Sequence, residues 1–154
     1  MKSDLTADQI AALVVQAKQA ASNAHAPYSN YGVGAAVLLK DGSVITGCNF
    51  ENASYGLTVC AETVALGSVN AAGKLREVRA IAVIGGLKGA DGSITGNDTC
   101  HPCGRCRQVI NEAADLSRLD IPVYCASGDG TALATYTISE LLPHAFGPKD
   151  LGLA

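Results

Sequence analysis

Val59-Cys60-Ala61-Glu62 and Pro102-Cys103-Gly104-Arg105-Cys106-Arg107-Gln108 are the two stretches on which the reading of this chain turns. The second places a Cys-x-x-Cys directly after proline, which sets two thiols at the first turn of whatever helix follows. The first supplies one more cysteine, with the Glu62 carboxylate two residues on. Three thiolates can hold Zn²⁺ and leave its fourth tetrahedral position to water, the layout of a catalytic rather than a structural site. A glutamate beside that water can carry its proton.

Working outward, Thr6-Ala7-Asp8-Gln9 has the form of a capping box, and Ile10, Leu13, Val14, Ala17 and Ala21 follow at helical spacing. That helix is expected to reach about Ala24, where Pro27-Tyr28-Ser29-Asn30-Tyr31-Gly32 breaks it. Apolar runs over 33–39 and 43–48 flank Lys40-Asp41-Gly42, the sign of a hairpin. The polar stretch 49–58 suits a ligand-facing loop. A second helix is expected from near Cys60 to a stop at Gly73, then a strand over 78–84, apolar enough to be buried on both faces.

Residues 85–100 are rich in Gly, Asp, Ser, Thr and Asn and read as loop throughout. A third helix should carry Val109, Ile110 and Ala113. Strands are expected over 122–126 and 133–136, and Thr137-Ile138-Ser139-Glu140 opens a short helix that ends at Pro143. A hairpin followed by alternating helices and strands implies an α/β fold, a mixed central sheet with helices on both faces. One domain over residues 1–154 is expected, with enough chain for a real core.

Composition narrows the function classes. An apolar share of 48% and a charged share of 16% are those of a globular protein, and a net charge of −3 offers no basic footprint for nucleic acid or an anionic membrane. No apolar run approaches the roughly 20 residues of a membrane span. The Met-Lys-Ser-Asp start lacks a secretory h-region, so the expected location is cytoplasmic, where six cysteines favour metal over disulfides.

Taken together, the motifs resemble the small, homotetrameric cytidine deaminases of pyrimidine salvage. The resemblance covers nearly the whole chain: Tyr31-Gly32-Val33-Gly34-Ala35-Ala36, Gly47-Cys48-Asn49-Phe50-Glu51-Asn52-Ala53-Ser54-Tyr55-Gly56, Cys60-Ala61-Glu62, the Pro102–Gln108 motif, and the tail 141–148. It implies the family's three-layer α-β-α fold and one Zn²⁺ per chain on Cys60, Cys103 and Cys106. Water activated by the metal would attack a cytosine nucleoside, cytidine or deoxycytidine, with Glu62 as proton shuttle. Asn49 and Glu51 would hydrogen-bond the ribose, the backbone around Ala61 would read the pyrimidine edge, and Tyr31 would pack against the nucleoside. Ala53, Tyr55 and Phe146 lie in segments that such tetramers bring to a neighbour's pocket, so shared active sites are implied.

The chain departs from the pattern at Thr63, where an arginine is common, at Gly32 in place of proline, in a longer segment 85–99, and at Cys100-His101. Parts of both cysteine motifs also resemble blasticidin S deaminase, which acts on a larger cytosine nucleoside. Three thiolates on one Zn²⁺ leave a net charge of −1, which something must withdraw. Helix N-termini can do so. Of the nearby cations, Arg107 is expected to turn inward toward a thiolate and Arg105 to stay in solvent.

Two readings compete with the deaminase. A structural zinc site could recruit Cys100, since Cys100-His101-Pro102-Cys103 overlaps a second Cys-x-x-Cys. The other is a zinc-stabilised binding module or an RNA-editing deaminase; an editing enzyme needs a basic groove to follow a strand, and eleven Lys plus Arg against fourteen Asp plus Glu offer no obvious one. Cys48 and Cys125 sit in apolar runs and read as core thiols. His101 reads as an ordinary loop histidine, and His25 and His144 as surface residues.

Overall fold

The computed structural model describes residues 4–153. Helix α1 (Ala7–Ser22) starts at the expected capping box: the Thr6 hydroxyl accepts from Gln9 N at 3.2 Å, and the Gln9 side chain accepts from Thr6 N at 2.9 Å. Strands β1 (Tyr31–Leu39) and β2 (Val44–Cys48) form the hairpin around Asp41-Gly42, with Leu38 opposite Val44. Then come α2 (Ala61–Ala71), β3 (Val78–Lys88), β4 (Ile94–Thr95), α3 (Gly104–Ser117), β5 (Pro122–Ser127), β6 (Leu133–Thr137) and the single turn α4 (Ile138–Leu141).

The sheet runs β2-β1-β3-β5-β6, with β4 paired to β3. Among the described residues only the β3–β5 pair of the sheet is parallel, Ile81 opposite Val123, so the sheet is mixed as the element order implied. Along β3 the side chains alternate between two cores. Ala80, Ala82 and Ile84 join Leu13, Ala17 and Ala21 of α1, while Ile81 and Val83 join Ala65, Val69, Ile110 and Ala113 of α2 and α3. The three layers are therefore α1, the sheet, and the α2–α3 pair.

Two glycines let the layers close. A Cβ at Gly34 in β1 would overlap the Ala17 carbonyl of α1, and one at Gly47 in β2 would come within 2.5 Å of Ala65 N in α2. Gly47 pairs with Ala35 and Gly34 with Cys48, so the two gaps open on opposite faces of the hairpin. Gly34→Ala is expected to cost at least about 2 kcal/mol, because backbone rather than a pliable side chain would have to move. Thermal melting against the parent measures it.

The segment 85–100 is not all loop. β3 continues to Lys88, and β4 folds back on it with Leu87 opposite Thr95 and Lys88 opposite Ile94. The glycines that suggested a loop are in the strand because neighbouring groups come close there. A Cβ at Gly85 would lie 2.6 Å from Cys100 Sγ and 3.0 Å from Tyr31 Cε1, while one at Gly86 would strike the Thr95 carbonyl. Glycine here makes room for Cys100, Tyr31 and Thr95.

Candidate active site

Cys60 and Cys103 are the N-cap residues of α2 and α3, both in extended backbone, and neither side chain caps its own helix. Their sulfurs are free to face each other and do so at 3.8 Å. Cys106 stands in the first turn of α3, and the three Sγ atoms lie within 4.8 Å of one another. Two thiolates at about 2.3 Å from a tetrahedral Zn²⁺ stand roughly 3.8 Å apart, so the donor set and its spacing fit that ion. Cys100 is outside this triangle among the described residues, which removes the fourth ligand that a closed structural site needs. Burial grades across the triangle: Cys106 is fully buried, Cys60 half-buried and Cys103 exposed.

The thiols are not equivalent. Burial acts to raise Cys103, but the backbone N–H of Cys106 and hydrogen bonds with Cys106 and Cys60 outweigh it, leaving its pKa lowered. Burial, then the charge of Cys103, raise Cys60. Burial, then the charge of Glu62, raise Cys106 steeply. One helix N-terminus thus favours a first thiolate, and a cation is what the other two require.

Glu62 is 3% exposed and its Oε2 lies 3.4 Å from Cys106 Sγ. Burial raises its pKa; its own backbone N–H and Cys106 pull the other way. A buried carboxylate in contact with a metal-ligand triangle, with no cationic side chain hydrogen-bonded to it among the described residues, is poised to exchange a proton. Ala61, between Cys60 and Glu62, is fully buried.

Thr63, standing where an arginine is common, sets its hydroxyl 3.5 Å from Cys106 Sγ. Arg107 does not do what was expected of it. It turns inward, but its Nε donates to Pro102 O and its Nη1 to Leu141 O, both at 2.9 Å, and neither reaches a ligand sulfur. Those two carbonyls stand where the loop enters α3 and where α4 ends, and a planar guanidinium can serve both. Arg105 is exposed, as expected. Arg107→Gln should therefore act on stability, lowering Tm by roughly 3–12 °C while folded protein keeps its metal. Differential scanning calorimetry with metal analysis on the same sample checks both parts.

The remaining sequence-predicted residues divide into two groups. Asn49 holds the start of β1, and Glu51 the segment just before it. Asn49 Oδ1 accepts from Val33 N at 2.8 Å and its Nδ2 donates to Tyr31 O at 2.9 Å. Glu51 Oε2 accepts from the backbone N–H groups of Tyr28, at 2.9 Å, and Ser29, at 3.3 Å, while Ser29 Oγ donates to Oε1. Hydrogen bonding by Ser29 foremost, against a smaller burial effect, holds the Glu51 carboxyl below its ordinary pKa. Tyr31 stands beside Cys100; burial, then Cys100, push its hydroxyl up to about 12. Burial, then the Glu62 charge, push the Cys100 thiol up to about 11.

Tyr55 joins Tyr28, Ser29, Glu51 and Thr58 around a cavity of about 350 Å³, its ring 5.6 Å from that of Tyr28. Ala53 is exposed. Phe146 is held through its carbonyl, by Gln108 Nε2 at 2.8 Å, and its ring is 59% exposed. No hydrogen bond among the described residues joins Ala53 or Phe146 to the three cysteines. His101 packs on Tyr136, rings 5.4 Å apart. Cys125 is fully buried in the core, and Cys48 is half-buried at the end of β2. Tyr28, Ser29 and Thr58 had no motif to mark them; small polar residues in a chain break were the only signal.

A sequence model described as the cytidine and deoxycytidylate deaminase zinc-binding region matches residues 7–119. A cytidine deaminase of Halalkalibacterium halodurans is 46% identical over 139 residues, which are 90% of this chain and 95% of that protein. One of Mycobacterium tuberculosis is 43% identical, covering 88% of this chain and 87% of its own. The crystal structure of cytidine deaminase from Burkholderia pseudomallei superimposes with a TM-score of 0.76 at 41% identity, over 92% of this chain and all of that one. With three thiols at zinc-ligand spacing and a buried glutamate against them, this chain belongs to the zinc-binding cytidine and deoxycytidylate deaminase family.

Proposed function

We propose that the chain is a cytidine deaminase, converting cytidine or deoxycytidine and water to uridine or deoxyuridine and ammonia. The observation that carries this is the Glu62 carboxylate, buried and 3.4 Å from a sulfur of the three-thiol triangle. When bound by Cys60, Cys103 and Cys106, Zn²⁺ supplies a Lewis acid that makes water nucleophilic near neutral pH. Glu62 takes a proton from that water and delivers it to N3 of the pyrimidine. As the new C–O bond forms at C4, the same carboxylate carries the second proton to the exocyclic nitrogen, which leaves as ammonia. Its raised pKa suits a group that must both accept and give up protons.

The backbone at Ala61 holds the pyrimidine edge, one residue from both ligand and base. Tyr31 forms the aromatic wall. Asn49 and Glu51 face the ribose: a carboxylate offers about four acceptor positions, and the three donors from Tyr28 and Ser29 leave one on Oε1 of Glu51. The working assembly is a homotetramer in the cytoplasm, serving pyrimidine salvage, in which Ala53, Tyr55 and Phe146 complete a neighbour's pocket. Supporting that assembly, Phe50, Tyr55, Leu57 and Phe146 are all more than half exposed in the single chain.

Loss of absorbance at the cytosine band, followed for cytidine, deoxycytidine and a bulkier cytosine nucleoside, tests the reaction. Metal content of the same preparation should come to one Zn²⁺ per chain. Light scattering at micromolar concentration should give four chains; a fully active monomer would overturn the shared site.

A further inference from the structure

We propose that Ser29 is a positioning residue for sugar recognition, coupling the Glu51 carboxylate to the backbone of Tyr31 through a single hydroxyl. This rests on the reading of Glu51 as the sugar acceptor. Ser29 Oγ has one proton, and gives it to Glu51 Oε1. Its lone pairs are then left to accept, and Tyr31 N donates to them at 3.0 Å. The other side of Tyr31 is fixed by Asn49, whose Nδ2 donates to the Tyr31 carbonyl at 2.9 Å. Both backbone polar groups of the aromatic wall are thereby tied to the side chains that face the sugar.

The two oxygens of Glu51 do different work. Oε2 is held by backbone N–H groups of Tyr28 and Ser29, bonds that any residue but proline at position 29 would leave in place. Oε1 is held by the Ser29 hydroxyl alone, and Oε1 carries the acceptor position still open to a ligand. Removing the hydroxyl leaves the carboxylate ionised and still held at Oε2 but loosens its Oε1 side, so the angle at which Oε1 meets the cavity of Tyr28, Tyr55 and Thr58 is less sharply set. The base Glu62 and the cysteines stand on α2 and α3, outside this network. Tyr31 keeps the Asn49 bond to its carbonyl and its pairing opposite Leu87 of β3, so the effect belongs in substrate binding, and chiefly for substrates that use the sugar hydroxyls.

Steady-state kinetics of Ser29→Ala on cytidine and on 2′,3′-dideoxycytidine test this, with Glu51→Ala and the double variant alongside. Ser29→Ala is expected to raise KM for cytidine about tenfold, the scale of a hydrogen bond to a charged group. kcat should hold within about threefold and KM for the dideoxy substrate should not move. Ser29→Thr, which keeps the hydroxyl, should restore the parent KM, and the double variant should be no worse than Glu51→Ala. A KM rise equal on both substrates, or effects that add in the double variant, would mean that Ser29 only stabilises the turn. Should Ser29→Ala fail to fold, Ser29→Cys, similar in size and a weak donor, carries the same comparison. If Glu51→Ala leaves KM for cytidine unchanged, the sugar-acceptor reading itself fails; if it raises KM and Ser29→Ala does not, only the present proposal fails.

Discussion

Glu62→Gln is expected to abolish nearly all turnover while leaving the fold and the metal in place. The amide fills the same volume, and the site around Glu62 is tight, with 3% of the residue exposed and Cys106 Sγ at 3.4 Å. Glutamine cannot accept the water proton or carry it to the ring. A well-placed general base contributes roughly 10²–10⁴ in rate, and one used in two successive transfers stands at the upper end or beyond. Because Glu62 lies outside the three-sulfur triangle, zinc content and melting temperature should stay near those of the parent. Turnover within about tenfold of the parent would show that another group moves the protons.

Cys106→Ala should lose both metal and activity. Metal binding by closed sites of small zinc domains is worth about 10–16 kcal/mol, so an even share per ligand is roughly 3–4 kcal/mol, or about 10²–10³ in zinc affinity. Cys106 is also the ligand against which both Glu62 and Thr63 are set, so its loss disorders the base as well as the metal. Cys100→Ala provides the contrast. Cys100 sits against Gly85 and Tyr31, outside the triangle, and its loss should leave zinc stoichiometry unchanged. Metal analysis of the two variants after dialysis decides between three ligands and four: zinc lost from Cys100→Ala would reinstate the closed structural site.

The missing arginine after Glu62 has a local explanation. Thr63 gives Cys106 one neutral hydrogen bond, and the helix N-terminus at Cys103 supplies the backbone donors that lower that thiol. The one inward-facing arginine near the ligands holds two carbonyls instead. Charge on the sulfurs is thus met by dipoles and a hydroxyl, short-ranged groups that need close packing to act.

Much of this was legible in the sequence because it is local. The capping box at Thr6, the Asp41-Gly42 hairpin and the apolar run that became β3 each depend on residues a few positions apart. The cysteine triad and Glu62 were legible for a related reason: thiols placed at helix starts are recognisable wherever the helices go. Tertiary structure alone decided the rest. Glycines at 85 and 86 carry no sign of whether they loosen a loop or admit a neighbour, and only the approach of Cys100, Tyr31 and Thr95 shows the latter. Arg107 had a thiolate nearby in sequence, yet Leu141, 34 residues on, supplied one of its partners. Ser29 found its hydrogen-bond partner in Glu51, 22 residues away, because hydrogen bonds are settled by which groups the fold brings within about 3 Å, a distance that sequence spacing does not encode.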